Sequence, residues 1–136
     1  MLIIDASAII AMLFEESEGG PCAAAMGESA PRLVSAVNYV EAGTVLAGRA
    51  SEKDRDKALA DIDAFLATFG IEIAAVTPEL AREALKARIK YGKGFGQRRG
   101  LNFGDSFAYA LAKSHDAPLL FIGDDFTTTD IKSALA

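Results

Sequence analysis

Short apolar runs alternate along this chain with longer stretches whose apolar residues recur every three or four positions. Met1 to Ile4 reads as a short buried strand, and Ala6 to Phe14 as the helix after it. Glu16 to Gly20 is turn-like, and Pro21 to Met26 suits a second helix. Arg32 to Ser35 is too short to assign by periodicity. Ala36 to Ala47 places Val37, Val40, Thr44 and Ala47 near one helical face. Glu52 to Phe69 predicts one strongly periodic helix, with Ala58, Ile62, Phe65, Leu66 and Phe69 aligned and Gly70 closing it. Ile71 to Val76 reads as a strand. Thr77-Pro78 then opens a helix that ends by Tyr91, the cap residue preceding a proline in the first turn. Gly92 to Gly104 holds five glycines and predicts a loop. Phe103 to Ser114 is helical, and Leu119 to Ile122 is a strand. Strands alternating with helices predict an α/β fold on a parallel sheet, in one domain over residues 1–136.

Acidic residues interrupt this apolar pattern at a few points. Asp5 ends Leu2-Ile3-Ile4, and Glu41 is the only charge between Leu33 and Gly48. Asp105 precedes Phe107-Ala108-Tyr109-Ala110-Leu111, and Asp124 and Asp125 follow Leu119 to Gly123. A carboxylate beside apolar surface is costly unless it is paired or binds a metal. Oxygen-only ligands suit Mg²⁺ or Mn²⁺. In parallel α/β sheets ligands gather beyond the carboxyl ends of the strands, where Asp5 and Asp124 are expected. Each acid also has a plain structural reading. Asp5 can cap the helix that follows it, Asp105 can close a first turn after Asn102, and Asp124 or Asp125 can serve a turn after Gly123. Glu41, in mid-helix, has no capping task. One shared metal site accounts for all of them together. Ser7, two residues after Asp5, can orient a carboxylate or be an ordinary first-turn serine.

Composition narrows the classes. Hydrophobic residues make up 51% of the chain, which supports a real core. No apolar run approaches the roughly 18 residues that span a membrane, and no secretory leader is visible. The single cysteine, Cys22, makes no internal disulfide. These features predict a cytoplasmic protein with no membrane partner. The net charge is −5, but it is segregated. Arg82 to Arg99 holds seven cations against one acid, and the rest of the chain is strongly acidic. Such a stretch can bind a phosphate backbone through Lys93, Arg98 and Arg99, or be a solvated helix face running into a loop. Phe95, flanked by glycines, can stack on an unpaired base or anchor the loop. His115 sits at a helix end, where it meets free carbonyls. No Ser-His-Asp or Cys-His arrangement supports a nucleophilic side chain.

The segments Ile4-Asp5-Ala6-Ser7-Ala8, Val40-Glu41-Ala42, Leu101 to Ala112, Gly123-Asp124-Asp125-Phe126 and Thr129-Asp130-Ile131 resemble, in this order, a PIN-domain protein of the VapC toxin type. The resemblance covers essentially the whole chain. It implies an α/β/α sandwich with a central parallel sheet and a Mg²⁺- or Mn²⁺-dependent ribonuclease. It implies a VapB-type antitoxin partner and a homodimer. Asp5, Glu41 and Asp105 fall on the family's first three acidic positions. Asp124, nearer the strand end, is favoured for the fourth, with Asp125 as the alternative. Two other functions stand beside this one: a DNA or structure-specific nuclease on the same acids, and a non-catalytic metal-binding interaction module.

Overall fold

A computed structural model of the chain describes residues 1–96 and 98–135; Gln97, inside the glycine-rich loop, lies outside them. Four parallel strands form the central sheet: β1 (Leu2–Ile4), β2 (Arg32–Ser35), β3 (Ile71–Ala74) and β4 (Leu119–Leu120), in the order β3-β2-β1-β4. Two helical layers cover it. One holds α1 (Ala6–Leu13), α2 (Gly19–Met26), α3 (Ala36–Arg49) and α4 (Ala58–Phe69); the other holds α5 (Pro78–Tyr91) and α6 (Phe103–Ser114).

Successive side chains of a strand face opposite ways, and β1 shows what this does. Leu2 and Ile4 join the core under α1 to α4, while Ile3 joins the core under α5 and α6. Leu119 and Leu120 divide in the same manner. At β1 and β4 both faces of the sheet are therefore buried, which is why these two strands read as unbroken apolar runs, whereas edge strand β3 leaves Glu72 and Ile73 exposed. The α/β/α sandwich matches the expected architecture.

Local chemistry sets the helix ends. Asp5 caps α1 and Ser35 caps α3. Thr77 caps α5 through Leu80 N, with Pro78 in the first turn. Gly70 ends α4 in the left-handed region at φ 62°.

Several elements are shorter than their sequence pattern, among them β3, which ends at Ala74 and not at Val76. Residues Glu52–Lys57 form a 3-10 helix before α4 instead of extending it. None of these six residues is buried, and Asp54 is engaged by Ser51 Oγ and Lys57 Nζ, so no apolar contact holds them in an α-helix. β4 stops at Leu120 because β1 is only three residues long. The next backbone groups turn elsewhere: Ile122 N donates to Ser7 Oγ at 3.0 Å. The tail then lies along β4, with Leu119 N donating to Lys132 O and Ala134 N to Leu119 O.

The order of the strands locates a crevice. From β1 the chain steps to β2 and β3 on one side, then returns through α5 and α6 to β4 on the other. Such a switch point, between the carboxyl ends of β1 and β4, is where this class of sheet opens to a ligand.

Candidate active site

Asp5 emerges from β1 into that crevice. Its Oδ2 accepts from Ser7 N at 3.0 Å and from Ser7 Oγ at 2.6 Å. Its Oδ1 is buried without a partner. The structural and the functional readings of Asp5 are thus compatible: one oxygen caps α1 and the other is left free. Ser7 Oγ, which also accepts from Ile122 N, ties this carboxylate to the end of β4.

Asp105 divides its work similarly. Asp105 Oδ2 accepts from Asn102 N at 3.0 Å, and Asn102 Oδ1 accepts from Asp105 N at 2.9 Å. This reciprocal capping box fixes the first turn of α6 and holds the carboxyl at the cavity wall.

Glu41 reaches the cavity from α3. Asn38 Nδ2, fully buried one turn earlier, donates to Glu41 Oε1 at 2.7 Å and to Gly104 O at 3.0 Å. The Glu41 carboxylate packs directly on Gly104, where any Cβ would overlap it. Asn38 and Gly104 therefore join α3 to α6 at the carboxylate.

Asp5, Glu41, Asp105 and Asp125 line one cavity of about 190 Å³ with Ser7 and Asn102; Ile10, Val45, Ile122 and Phe126 form its apolar walls. Among the described residues no three acidic, histidine or cysteine side chains already stand at metal-ligand spacing. A cation entering would meet carboxyl oxygens from four elements rather than a closed cage.

Asp124 points elsewhere. Its Oδ2 lies 3.8 Å from Arg99 Nη1, outside the cavity lining. Neighbouring side chains diverge in the turn after Gly123, which has φ 97°, so only Asp125 of the pair faces inward.

Electrostatics mark the cavity as an unneutralised acidic site. Burial raises the Asp5 carboxyl above its usual range, against the Ser7 hydrogen bonds that lower it, and Asp125 raises it further. Burial likewise raises Glu41; the Asn38 hydrogen bond opposes this, and Asp5 adds to it. Asp105 is pushed up to about 8, first by burial and then by Asp5 and Asp125, despite the lowering effect of Asn102 N. Raised carboxyls crowded by one another, with a buried Asp5 oxygen left unpaired, have the chemistry of a hard-cation site. The donor set fits Mg²⁺ or Mn²⁺.

The basic stretch divides in two. Arg88 is structural: its Nη1 donates to Leu101 O and Lys93 O, and its guanidinium lies over Phe95 at 5.6 Å. Lys93, Arg98 and Arg99 are exposed on the glycine-rich loop. That loop is closed at its base by Lys93 N to Leu101 O and Leu101 N to Tyr91 O, each 3.0 Å. His115 caps the end of α6, away from the cavity lining.

Sequence reasoning missed Asn38 and Gly104. Asn38 carried a readable signal, a lone amide three residues before the lone acid of the same helix. Gly104 carried none, because its role exists only where α3 meets α6.

Comparison with known proteins extends this geometry. The PIN domain family model matches residues 2–132. A VapC ribonuclease of Mycobacterium bovis and Ribonuclease VapC42 of Mycobacterium tuberculosis are each 41% identical over 133 residues, covering 98% of this chain and 98% of theirs. The crystal structure of Mycobacterium tuberculosis VapC20, a sarcin-ricin loop cleaving toxin, superposes with a TM-score of 0.75 at 16% identity over 96% of both chains. A toxin–antitoxin complex from Klebsiella pneumoniae gives 0.64 at 17% identity, covering 96% of this chain and 93% of that one.

Proposed function

The chain belongs to the PIN domain family, within its VapC branch, and on that premise we propose that it is a ribonuclease serving as the toxin of a toxin–antitoxin pair. The carrying observation is the cavity at the β1–β4 switch point. There Asp5, Glu41, Asp105 and Asp125 converge on a chain that aligns end to end with VapC ribonucleases.

These four carboxylates would hold Mg²⁺ or Mn²⁺, which when bound lowers the pKa of water and draws charge from phosphoryl oxygens. The chain's own groups do the rest. Ser7 fixes the rotamer of Asp5, Asn102 that of Asp105, and Asn38 that of Glu41. Ile10, Val45, Ile122 and Phe126 limit water at the cavity wall. Without a cation, burial and the nearby Asp5 and Asp125 carboxyls favour the protonated form of Asp105. Lys93, Arg98 and Arg99 on the loop supply positive charge for an RNA backbone that the acidic cavity alone would repel. Phe95, 57% exposed on the same loop, offers a face for an unpaired base.

A VapB-type antitoxin is the partner this reading calls for. An inserted arginine would pair with Asp5, Glu41 or Asp105, and Ile10 and Leu13 of α1, with Phe14 at its C-cap, would give an apolar anchor. Homodimerisation has a candidate face as well. Val40, Phe103, Leu85 and Ile89 are all exposed apolar side chains. Val40 shares a groove of about 650 Å³ with Phe103, and Phe103 shares a second groove with Leu85. With RNA as substrate and an antitoxin as partner, this reading gives a cytoplasmic site of action. No helix among the described residues is long and apolar enough to cross a membrane.

The test is direct. Purified protein freed of partner, incubated with RNA and Mg²⁺ or Mn²⁺, should cleave it and stop with EDTA. Cleavage of DNA but not RNA would move the substrate assignment. Metal binding without cleavage of either would leave a non-catalytic module. A VapB-type antitoxin added before the metal should prevent the cleavage.

A further inference from the structure

We propose that Arg99 holds an RNA phosphate at the rim of the carboxylate cavity, and that Asp124 is its resting counter-ion and not a ligand of the metal. The inference rests on the ribonuclease reading above.

The substrate's charge sets the problem. Four carboxylates face the cavity, and a phosphodiester approaching them is repelled until a cation meets it at the edge. The structure brings a guanidinium to Asp124, the residue next to the cavity lining. Arg99 Nη1 lies 3.8 Å from Asp124 Oδ2, and Asp124 is the immediate neighbour of Asp125 in the cavity wall.

The position of Arg99 is built, although its side chain is exposed. Leu101, two residues on, is pinned by two backbone bonds to Tyr91 and Lys93 and by Arg88. Gly100, at φ 145°, lies so close to Tyr91 O that a Cβ would clash with it. Asn102, next after Leu101, caps α6 and lines the cavity. The chain is thus fixed immediately after Arg99, and its exposed side chain starts from a closed loop base.

The pair itself is suited to exchange. Its side chains are 75% and 72% exposed, and the separation is too long for a hydrogen bond. An exposed pair of this kind stabilises little. A phosphate offers the same guanidinium two oxygens for a bidentate grip, so Arg99 gains by leaving Asp124 for substrate. Asp124 then acts as a competitor for Arg99 and as one more negative charge at the rim.

Two measurements test this. Binding of a labelled single-stranded RNA is followed against salt in an Asp105→Asn background, which prevents cleavage. Mn²⁺ binding is followed by calorimetry in the otherwise native chain. Arg99→Gln should weaken RNA binding and lower the salt slope by about 0.7, with the Mn²⁺ isotherm and melting temperature unchanged. Arg99→Lys should restore the slope but only part of the affinity. Asp124→Asn should leave the Mn²⁺ isotherm unchanged and tighten RNA binding by roughly two- to fivefold. A tenfold loss of Mn²⁺ affinity in Asp124→Asn would make Asp124 a ligand and overturn the proposal. An unchanged slope in Arg99→Gln, with RNA still bound, would overturn it while sparing the ribonuclease reading. RNA that fails to bind the parent chain at any salt would overturn both.

Discussion

A buried carboxylate with one oxygen committed and the other free is an unusual arrangement, and Asp5 has it. Ser7 saturates Oδ2, while Oδ1 has no partner. Removing the charge should therefore have opposite effects on stability and activity. Asp5→Asn should raise the melting temperature of the metal-free protein, since it relieves burial and repulsion; on the order of 4 °C is expected per kcal/mol. The same change should cost more activity than the ~10–100-fold typical of losing an outer partner of a metal ligand. A variant that melts lower and still cleaves would remove Asp5 from the site. Asn38→Ala tests such an outer partner. It leaves Glu41 Oε1 without its donor, so Mn²⁺ affinity should fall by ~10–100-fold, read by calorimetry. An unchanged isotherm would confine Asn38 to bracing α3. The acids were legible in the sequence because each one breaks an apolar run. Choosing between Asp124 and Asp125 was not, since the direction of adjacent side chains in a turn follows from a backbone angle at Gly123 that composition does not carry.

Elements bring these residues together, and the contact between α3 and α6 matters most. Gly104 lets the Glu41 carboxylate lie against the first turn of α6. Gly104→Ala would insert a methyl where the carboxylate sits, and the cost falls on Glu41 because α6 is held by its capping box. The clash is with the far end of a flexible side chain, so we expect destabilisation at the low end of the ~1–3 kcal/mol typical of overpacking, together with weakened Mn²⁺ binding. Loss of stability with an unaltered isotherm would mean that Glu41 moves aside without consequence. Element positions were largely readable beforehand, because caps are local: Asp5, Ser35, Thr77, Gly70 and Asn102 each mark an end by their own chemistry. Where the reading overran, the deciding contact was distant. Residues 52–57 have helical composition but nothing to pack on, and β4 ends early because its partner strand is short. The approach of Asn38 to Gly104, 66 positions away, is visible only in three dimensions.

At the scale of the whole molecule the acidic cavity is a local cost that folding carries. Asp5, Glu41 and Asp105 all hold protons more tightly in the fold than free carboxyls do, Asp105 up to about 8. Above the free value, the unfolded chain has released protons that the folded chain still binds. The stability that Asp105 contributes is therefore complete below about pH 4 and lost as pH rises through about 8, and Asp5 and Glu41 act in the same direction. Asp130, lowered by hydrogen bonds from Tyr109 and Lys113, works in the opposite sense, but in acid and at an exposed position, so it leaves this window untouched. The metal-free protein should melt progressively lower between pH 5 and 8. Overall charge repulsion has the same sign in a chain of net charge −5, so the decisive comparison is Asp105→Asn, whose decline should be shallower. Saturating Mg²⁺ or Mn²⁺ should raise the melting temperature by mass action, and by more at pH 8 than at pH 5, because the ion competes with protons for the same oxygens. Parallel declines in the parent and Asp105→Asn, or a metal-induced rise that is equal at both pH values, would mean that the cation binds elsewhere.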